Sequence, residues 1–370
     1  MKKKNIAKVY LTVFIAFLSI SLNAKEKAEG EQEGGKVDTK EEIKEYIDHH
    51  LADSHYFNFL SDGEAGEHYG FPLPVILWDN GLKVFSSGKF HHGEELVEID
   101  GQHYKLYHSK IYKTDANGTI NYSEESEYPT NERPLDFSIT KNVVTMIAVS
   151  LLMFLMFSAL ASAYGKKDIP TKFGRFLEPL VIYVRDDIAK PNIGPKYRKY
   201  MSFLLTVFFF IWVLNLIGMT PLGINVTGNI AITFALALIT FIIVQFSGNK
   251  SYWKHIFWMP GVPIPMKIVL APIEVLGMFT KPFALMIRLF ANMTAGHVVI
   301  MSLLGLIFVF QNWIAGPAFF GFTIFISIIE LLVAFLQAYI FTLLSALYIG
   351  MAVEEHDDHN PADNEDIPVL

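Results

Sequence analysis

The sequence predicts an all-α polytopic membrane protein, with five membrane-crossing helices, one interfacial helix and a small β-rich module ahead of them. Three observations carry that prediction. Of the 370 residues 52% are apolar and only 18% charged, whereas soluble domains carry about a quarter charged residues. Apolar runs near 142–164, 201–222 and 228–246 each suffice to cross hydrocarbon, which takes roughly 20 helical residues. Two further runs, near 268–312 and 318–352, are much longer.

The first 24 residues read as an export signal. Lys2, Lys3 and Lys4 precede an apolar stretch over 9–22, and Leu22-Asn23-Ala24 offers a cleavage site. Leu22 is large for that site, so a retained anchor stays open; either way the next segment starts outside the cytoplasm. Residues 25–136 are polar and hold no spanning run. A linker reaches about residue 39, and Ile43, Ile47 and Leu51 repeat at helical spacing over 41–51. Beyond it Asp79-Asn80-Gly81, Asp100-Gly101 and Asn117-Gly118 are turn signals between short strand-like runs. Eight of the 12 histidines lie here, including His91-His92, and without ligand spacing they read as solvated surface residues.

The membrane domain occupies 137–353. Its 165–200 connection holds nine Lys or Arg residues, which places it in the cytoplasm, and Lys250, Lys254 and Lys267 place the 247–267 connection there too. Five crossings then give an outside N-terminus and a cytoplasmic C-terminus, with an acidic tail over 354–370. Within the first connection, 173–188 sets Phe176, Leu177, Leu180, Val181 and Val184 on one face. Arg175, Glu178, Arg185 and Asp186 lie on the other. That amphipathic pattern fits a helix lying in the interface, or one docked on a partner. The chain has no cysteine, so disulfides and thiolate chemistry are excluded; no segment suits a nucleic acid, and no cofactor is expected.

The run over 268–312 would be about 67 Å long as one helix, against a hydrocarbon core of about 30 Å. It must break, with Pro282 as a possible kink, or tilt by something like 60°. Arg288 lies mid-run, where an arginine costs at least about 2.5–3.5 kcal/mol and therefore faces water, a partner charge or both. Glu274, Lys281 and Arg288 are seven apart and Asn292 is four further on, so the four share a face; His297 lies on the opposite one. In an antiparallel hairpin facing residues have a nearly constant sum of numbers. That sum is 625 for Arg288 with Gln337 and 627 for His297 with Glu330. Both put the turn near residue 313, where Asn312, Gly316 and Pro317 are turn signals. An Arg–Gln layer and a His–Glu layer result. Asn215 and Asn229, in the preceding hairpin, are candidates for lining water. The residues thus describe a path for a small cation past Arg288; a proton- or sodium-coupled secondary transporter is the alternative, although no internal repeat is visible.

The segment Met286-Ile287-Arg288-Leu289-Phe290-Ala291-Asn292-Met293-Thr294-Ala295-Gly296-His297 resembles the hallmark segment of subunit a of rotary F-type ATP synthases. Leu336-Gln337-Ala338-Tyr339-Ile340-Phe341 is similar to its last helix, and Tyr46-Ile47-Asp48-His49-His50-Leu51 and Met351-Ala352-Val353-Glu354-Glu355-His356 look like that family too. The resemblance implies a stator in the bacterial inner membrane, beside a ring of c subunits and the b subunits of the peripheral stalk. It makes Arg288 the essential arginine between two half-channels, with Asn292 and Gln337 its polar neighbours. His297 and Glu330 hold the access-path positions with residue types exchanged relative to the best-known bacterial members. The 25–136 module is longer than the family usually carries.

Overall fold

The computed structural model describes residues 44, 47, 51–62, 67–123, 129–164, 174–220, 224–259, 262–310 and 314–354. The export signal, the linker, most of the 41–51 helix and the acidic tail beyond Glu354 lie outside them; Lys44, Ile47 and Leu51 of that helix are helical. Two compact units result: Met1–Leu151, Leu214–Val226 and Thr294–Leu331 form one, and Leu152–Val213, Thr227–Met293 and Leu332–Leu370 the other.

In the first unit, β1 (Tyr56–Asp62) pairs antiparallel with β2 (Glu67–Pro72). A second sheet has the order β4-β3-β8, from β3 (Pro74–Trp78), β4 (Leu82–Ser86) and β8 (Leu135–Asp136). A third has the order β5-β6-β7, from β5 (Val97–Ile99), β6 (Gln102–Tyr107) and β7 (Lys110–Thr114). Alternation drives these strands: Val75, Leu77 and Phe85 point inward and join Phe90, Val97, Tyr104 and Ile111 in one core. Two turns fall where the sequence puts them. Asn80 and Gly81 take positive φ (52° and 140°) between β3 and β4, as do Asp100 and Gly101 (54° and 77°) between β5 and β6. Asn117-Gly118 instead closes a loop after β7, where Asp115 Oδ1 accepts from the Asn117 and Thr119 amides at 3.2 and 2.9 Å. The β6–β7 hairpin turns on His108-Ser109, which carry no Gly signal yet hold φ of 45° and 59°.

A buried polar chain ties the sheets together. Lys83 Nζ donates to the Tyr104 hydroxyl at 3.0 Å, which donates to Asp79 Oδ2 at 2.7 Å; Lys113 Nζ lies 2.8 Å from Asp79 Oδ1. Hydrogen bonds from Lys113 and then Tyr104 hold the Asp79 carboxyl below the usual carboxylate range, and the same Asp79 bond lifts the Lys113 ammonium above its ordinary value. The module is also fastened to the first long helix. Asp53 accepts from Thr140 Oγ1 (2.9 Å) and from the Asn142 amide (3.3 Å), and the Lys141 amide donates to the Ser54 carbonyl (3.0 Å). Asp53 thereby caps that helix from a segment some 90 residues earlier.

The helices are α1 (Lys141–Tyr164), α2 (Gly174–Tyr183), α3 (Lys190–Ile193), α4 (Tyr197–Gly218), α5 (Ile230–Ser247), α6 (Lys250–Phe257), α7 (Ile264–Phe310) and α8 (Ala315–Val353). A π-helical turn, Val184–Ala189, joins α2 to α3, and Gly194–Lys196 leads into α4. Five stretches are long and apolar enough to cross a membrane: Lys141–Tyr164, Gly174–Gly218, Ile230–Ser247, Ile264–Ile307 and Ala315–Val353. In the second unit Phe208 and Phe209 of α4 are fully buried; Phe335 packs on Phe208 and Trp212 at 5.8 Å each. Fully buried Ala334, Ala338 and Ala346 give α8 a small-residue face that lets neighbouring backbone approach. Its last carbonyls are satisfied from outside: the Asn249 amide donates to Ala352 O and its side chain to Val353 O, both at 2.9 Å.

Candidate functional site

The helix α7 runs for 47 residues, about 70 Å, without a break, although Pro272 and Pro282 lie inside it. Of the alternatives a long apolar run leaves, interruption at Pro282 is not the one taken. Proline has no N–H, so Pro282 cannot donate to the Met278 carbonyl one turn earlier. Met278 and Pro282 both line a cavity of about 20 Å³, together with Thr240, Gln245, Tyr252, Lys281 and Tyr348. Gln245 Oε1 is buried there without a hydrogen-bond partner among the described residues. Gln245, Tyr252 and Tyr348 were not legible as site residues; an isolated glutamine or tyrosine near a helix end carries no periodic signal.

In the second unit Leu285, Met286, Leu289 and Met293 form the buried face of α7. Arg288 lies at the edge of that face, half-buried, and Asn292 one turn on is exposed. Gln337 is buried (4% exposed) on α8, next to Ala338 and one turn before Phe341. Among the described residues no hydrogen bond joins Arg288 to Gln337. The Lys281 ammonium lies over the Tyr348 ring of α8, 5.3 Å from its centre. Glu274, two turns before Lys281, is half-buried.

The first unit holds the His–Glu layer, with His297 and Glu330 brought together. His297 Nδ1 lies 3.5 Å from Glu330 Oε1, with both side chains less than a tenth exposed. Glycine at 296 makes this possible, because a Cβ there would sit 2.6 Å from Glu330 Oε1. The cluster is short of hydrogen bonds: His297 Nδ1, both Glu330 carboxylate oxygens and Thr294 Oγ1 are buried without a partner among the described residues. Thr294 was missed by the sequence reading, although it stands one turn before His297 within the hallmark segment. Asn215 is fully buried on α4. Asn229 is half-exposed and caps α5, its Oδ1 accepting from the Ala231 amide at 3.0 Å. A capping role is legible from sequence, since Asn229 directly precedes an apolar run.

The ATP synthase A chain family matches residues 143–350, and a domain of unknown function matches residues 46–137. The chain is 50% identical over 231 residues to ATP synthase subunit a of Chloroherpeton thalassium, covering 60% of this chain and 69% of that one. It is 38% identical over 318 residues to ATP synthase subunit a 2 of Prosthecochloris aestuarii, covering 82% and 97%. ATP synthase subunit a of Myxococcus xanthus is 47% identical over 240 residues, covering 61% and 77%. With more than half of its length matched by the family, and one relative at 38% identity spanned almost end to end, the chain belongs to the ATP synthase subunit a family.

Proposed function

We propose that this chain is the ion-conducting stator subunit of a rotary ATP synthase in a bacterial inner membrane. Protons reach the ring of c subunits through the His297–Glu330 layer and leave past Lys281 and Glu274, with Arg288 separating the two half-channels. The b subunits of the peripheral stalk hold it against rotation. In this reading the N-terminal module is extracytoplasmic, the C-terminus cytoplasmic, and α2 lies in the membrane interface. The family relationship supports the stator role and does not favour the transporter alternative.

The observation that carries the ion path is the buried Thr294–His297–Glu330 cluster. Leaving a carboxylate and an imidazole out of water without hydrogen bonds costs several kcal/mol. The natural remedy is a chain of water or a migrating proton, and histidine exchanges protons near neutral pH. A proton is preferred to Na⁺ as the cargo because the path runs through a titratable pair. Asn215, fully buried on α4, is assigned to the same path.

Arg288 supplies the other half of the mechanism. A ring carboxylate is neutral while it faces lipid and must ionise to exchange its proton. A guanidinium that stays protonated favours the ionised form as the carboxylate passes, and its charge repels a bare cation that would leak straight through. Asn292, one turn away and exposed, and the buried Gln337 shape the polar surroundings of that encounter. Replacing Arg288 by alanine should abolish proton-coupled ATP synthesis while the complex still assembles. Normal ATP-driven pumping by an assembled R288A complex would overturn the assignment.

A further inference from the structure

The second sheet of the N-terminal module is apolar on both faces. One face, with Val75, Leu77 and Phe85, is the core. On the other, Trp78, Leu82, Val84, Leu135 and Phe137 are each more than half exposed, and Ile76 between them is half-buried. The pairing makes them one patch: Trp78 lies opposite both Leu82 and Leu135, Val84 opposite Ile76, and the Phe137 amide donates to Ile76 O at 2.9 Å. No charged side chain falls on this face of the three strands. Antiparallel sheets normally show a polar face to water, and patches of this kind mark contact with a membrane or another protein.

We propose that this face rests on the lipid leaflet at the N-terminal end of α1. The attachment of the sheet argues for lipid. Backbone hydrogen bonding between β3 and the segment after β8 continues to Ile139, whose amide donates to Pro74 O at 3.1 Å, two residues before α1 begins. The Asp53 cap and the Ser54 bond grip the head of the same helix. With 24 residues α1 is about 36 Å long, somewhat more than a hydrocarbon core, so its first turn stands at headgroup level. The sheet is therefore held within two residues of the lipid headgroups. Trp78 and Phe137 are the residue types that populate that layer, with aliphatic neighbours reaching towards the acyl chains. Ile147, further along the same helix, is also exposed.

The chain has no cysteine, so single-cysteine variants report one position each. V84C and F137C, with E98C and K110C as solvent-exposed controls elsewhere in the module, would be labelled with a small fluorophore in the assembled synthase. The complex would then be reconstituted in phosphatidylcholine vesicles. Phosphatidylcholine spin-labelled near the headgroup should quench the V84C and F137C labels several-fold more than the control labels. Aqueous iodide should show the reverse order. Equal lipid quenching at all four positions would overturn the proposal, and so would V84C and F137C labels shielded from both quenchers, which would assign the face to a neighbouring protein. Both patch side chains are exposed, so neither variant disturbs the module core.

Discussion

Gly296→Ala is the sharpest perturbation of the ion path. The added methyl would sit 2.6 Å from Glu330 Oε1 and 2.9 Å from its Cδ. An ordinary carbon–oxygen contact is about 3.3 Å, so the carboxylate must retreat by about 0.7 Å. The obstructing atoms are the far end of a flexible side chain, so the helices can stay in place while the carboxylate is pushed from its position 3.5 Å from His297. Misplacing one partner of a transfer by about 1 Å can slow it by about 100-fold. Passive proton flux through membranes stripped of the catalytic sector should therefore fall by one to two decades in G296A, with the chain present at normal levels. Glu330→Asp withdraws the carboxylate by one methylene, so G296A combined with E330D should recover flux beyond what either single variant supports. Flux at the native rate in G296A, or strictly additive losses in the double variant, would refute the steric argument.

Gly350→Ala should behave differently, because its Cβ would collide with the Asn192 backbone carbonyl, which cannot swing away. Overpacking of this kind costs about 1–3 kcal/mol or more, so the G350A chain should be depleted from the membrane, as an immunoblot of assembled complex would show. The N-terminal module should have a pH window set by Asp79 and Lys113. The folded carboxyl of Asp79 is depressed, so its contribution is present above the unfolded value, about 3.9, and disappears as pH falls through the folded one. The raised ammonium of Lys113 stabilises below about 10.4 and loses its contribution as pH rises through its folded value. Lys113→Met should then accelerate hydrogen exchange in β3 and β7 at neutral pH, by about 1–3 kcal/mol of protection, and by less as pH falls through the depressed folded value of Asp79.

Much of this architecture is readable from hydropathy because a bilayer imposes its thickness on the chain. Apolar runs near 201–222 and 228–246 became Tyr197–Gly218 and Ile230–Ser247, and the turn placed near 313 falls between Phe310 and Ala315. The numbering rule works for His297 with Glu330 because two rigid antiparallel rods keep their register. Tyr348 and Gln245 were invisible because their meaning comes from convergence with Lys281 around one cavity, which no single helix encodes. In the module, Asp-Gly and Asn-Gly turns were legible, whereas His108-Ser109 adopts its positive φ under the constraint of the flanking strands. The double-sided apolar sheet was hidden for a similar reason. Leu135 and Phe137 stand far in sequence from Trp78 and join its face only through strand pairing.

The central claim, that the face of α7 bearing Arg288 meets the rotor, can be tested most directly by cross-linking. Asn292 is exposed one turn beyond Arg288, and no native cysteine competes with one placed there. N292C should form a disulfide with a cysteine introduced beside the ion-carrying carboxylate of a c subunit, and the bond should block ATP-driven rotation until it is reduced. Efficient oxidation without any such cross-link, in complexes that still pump protons, would contradict the account.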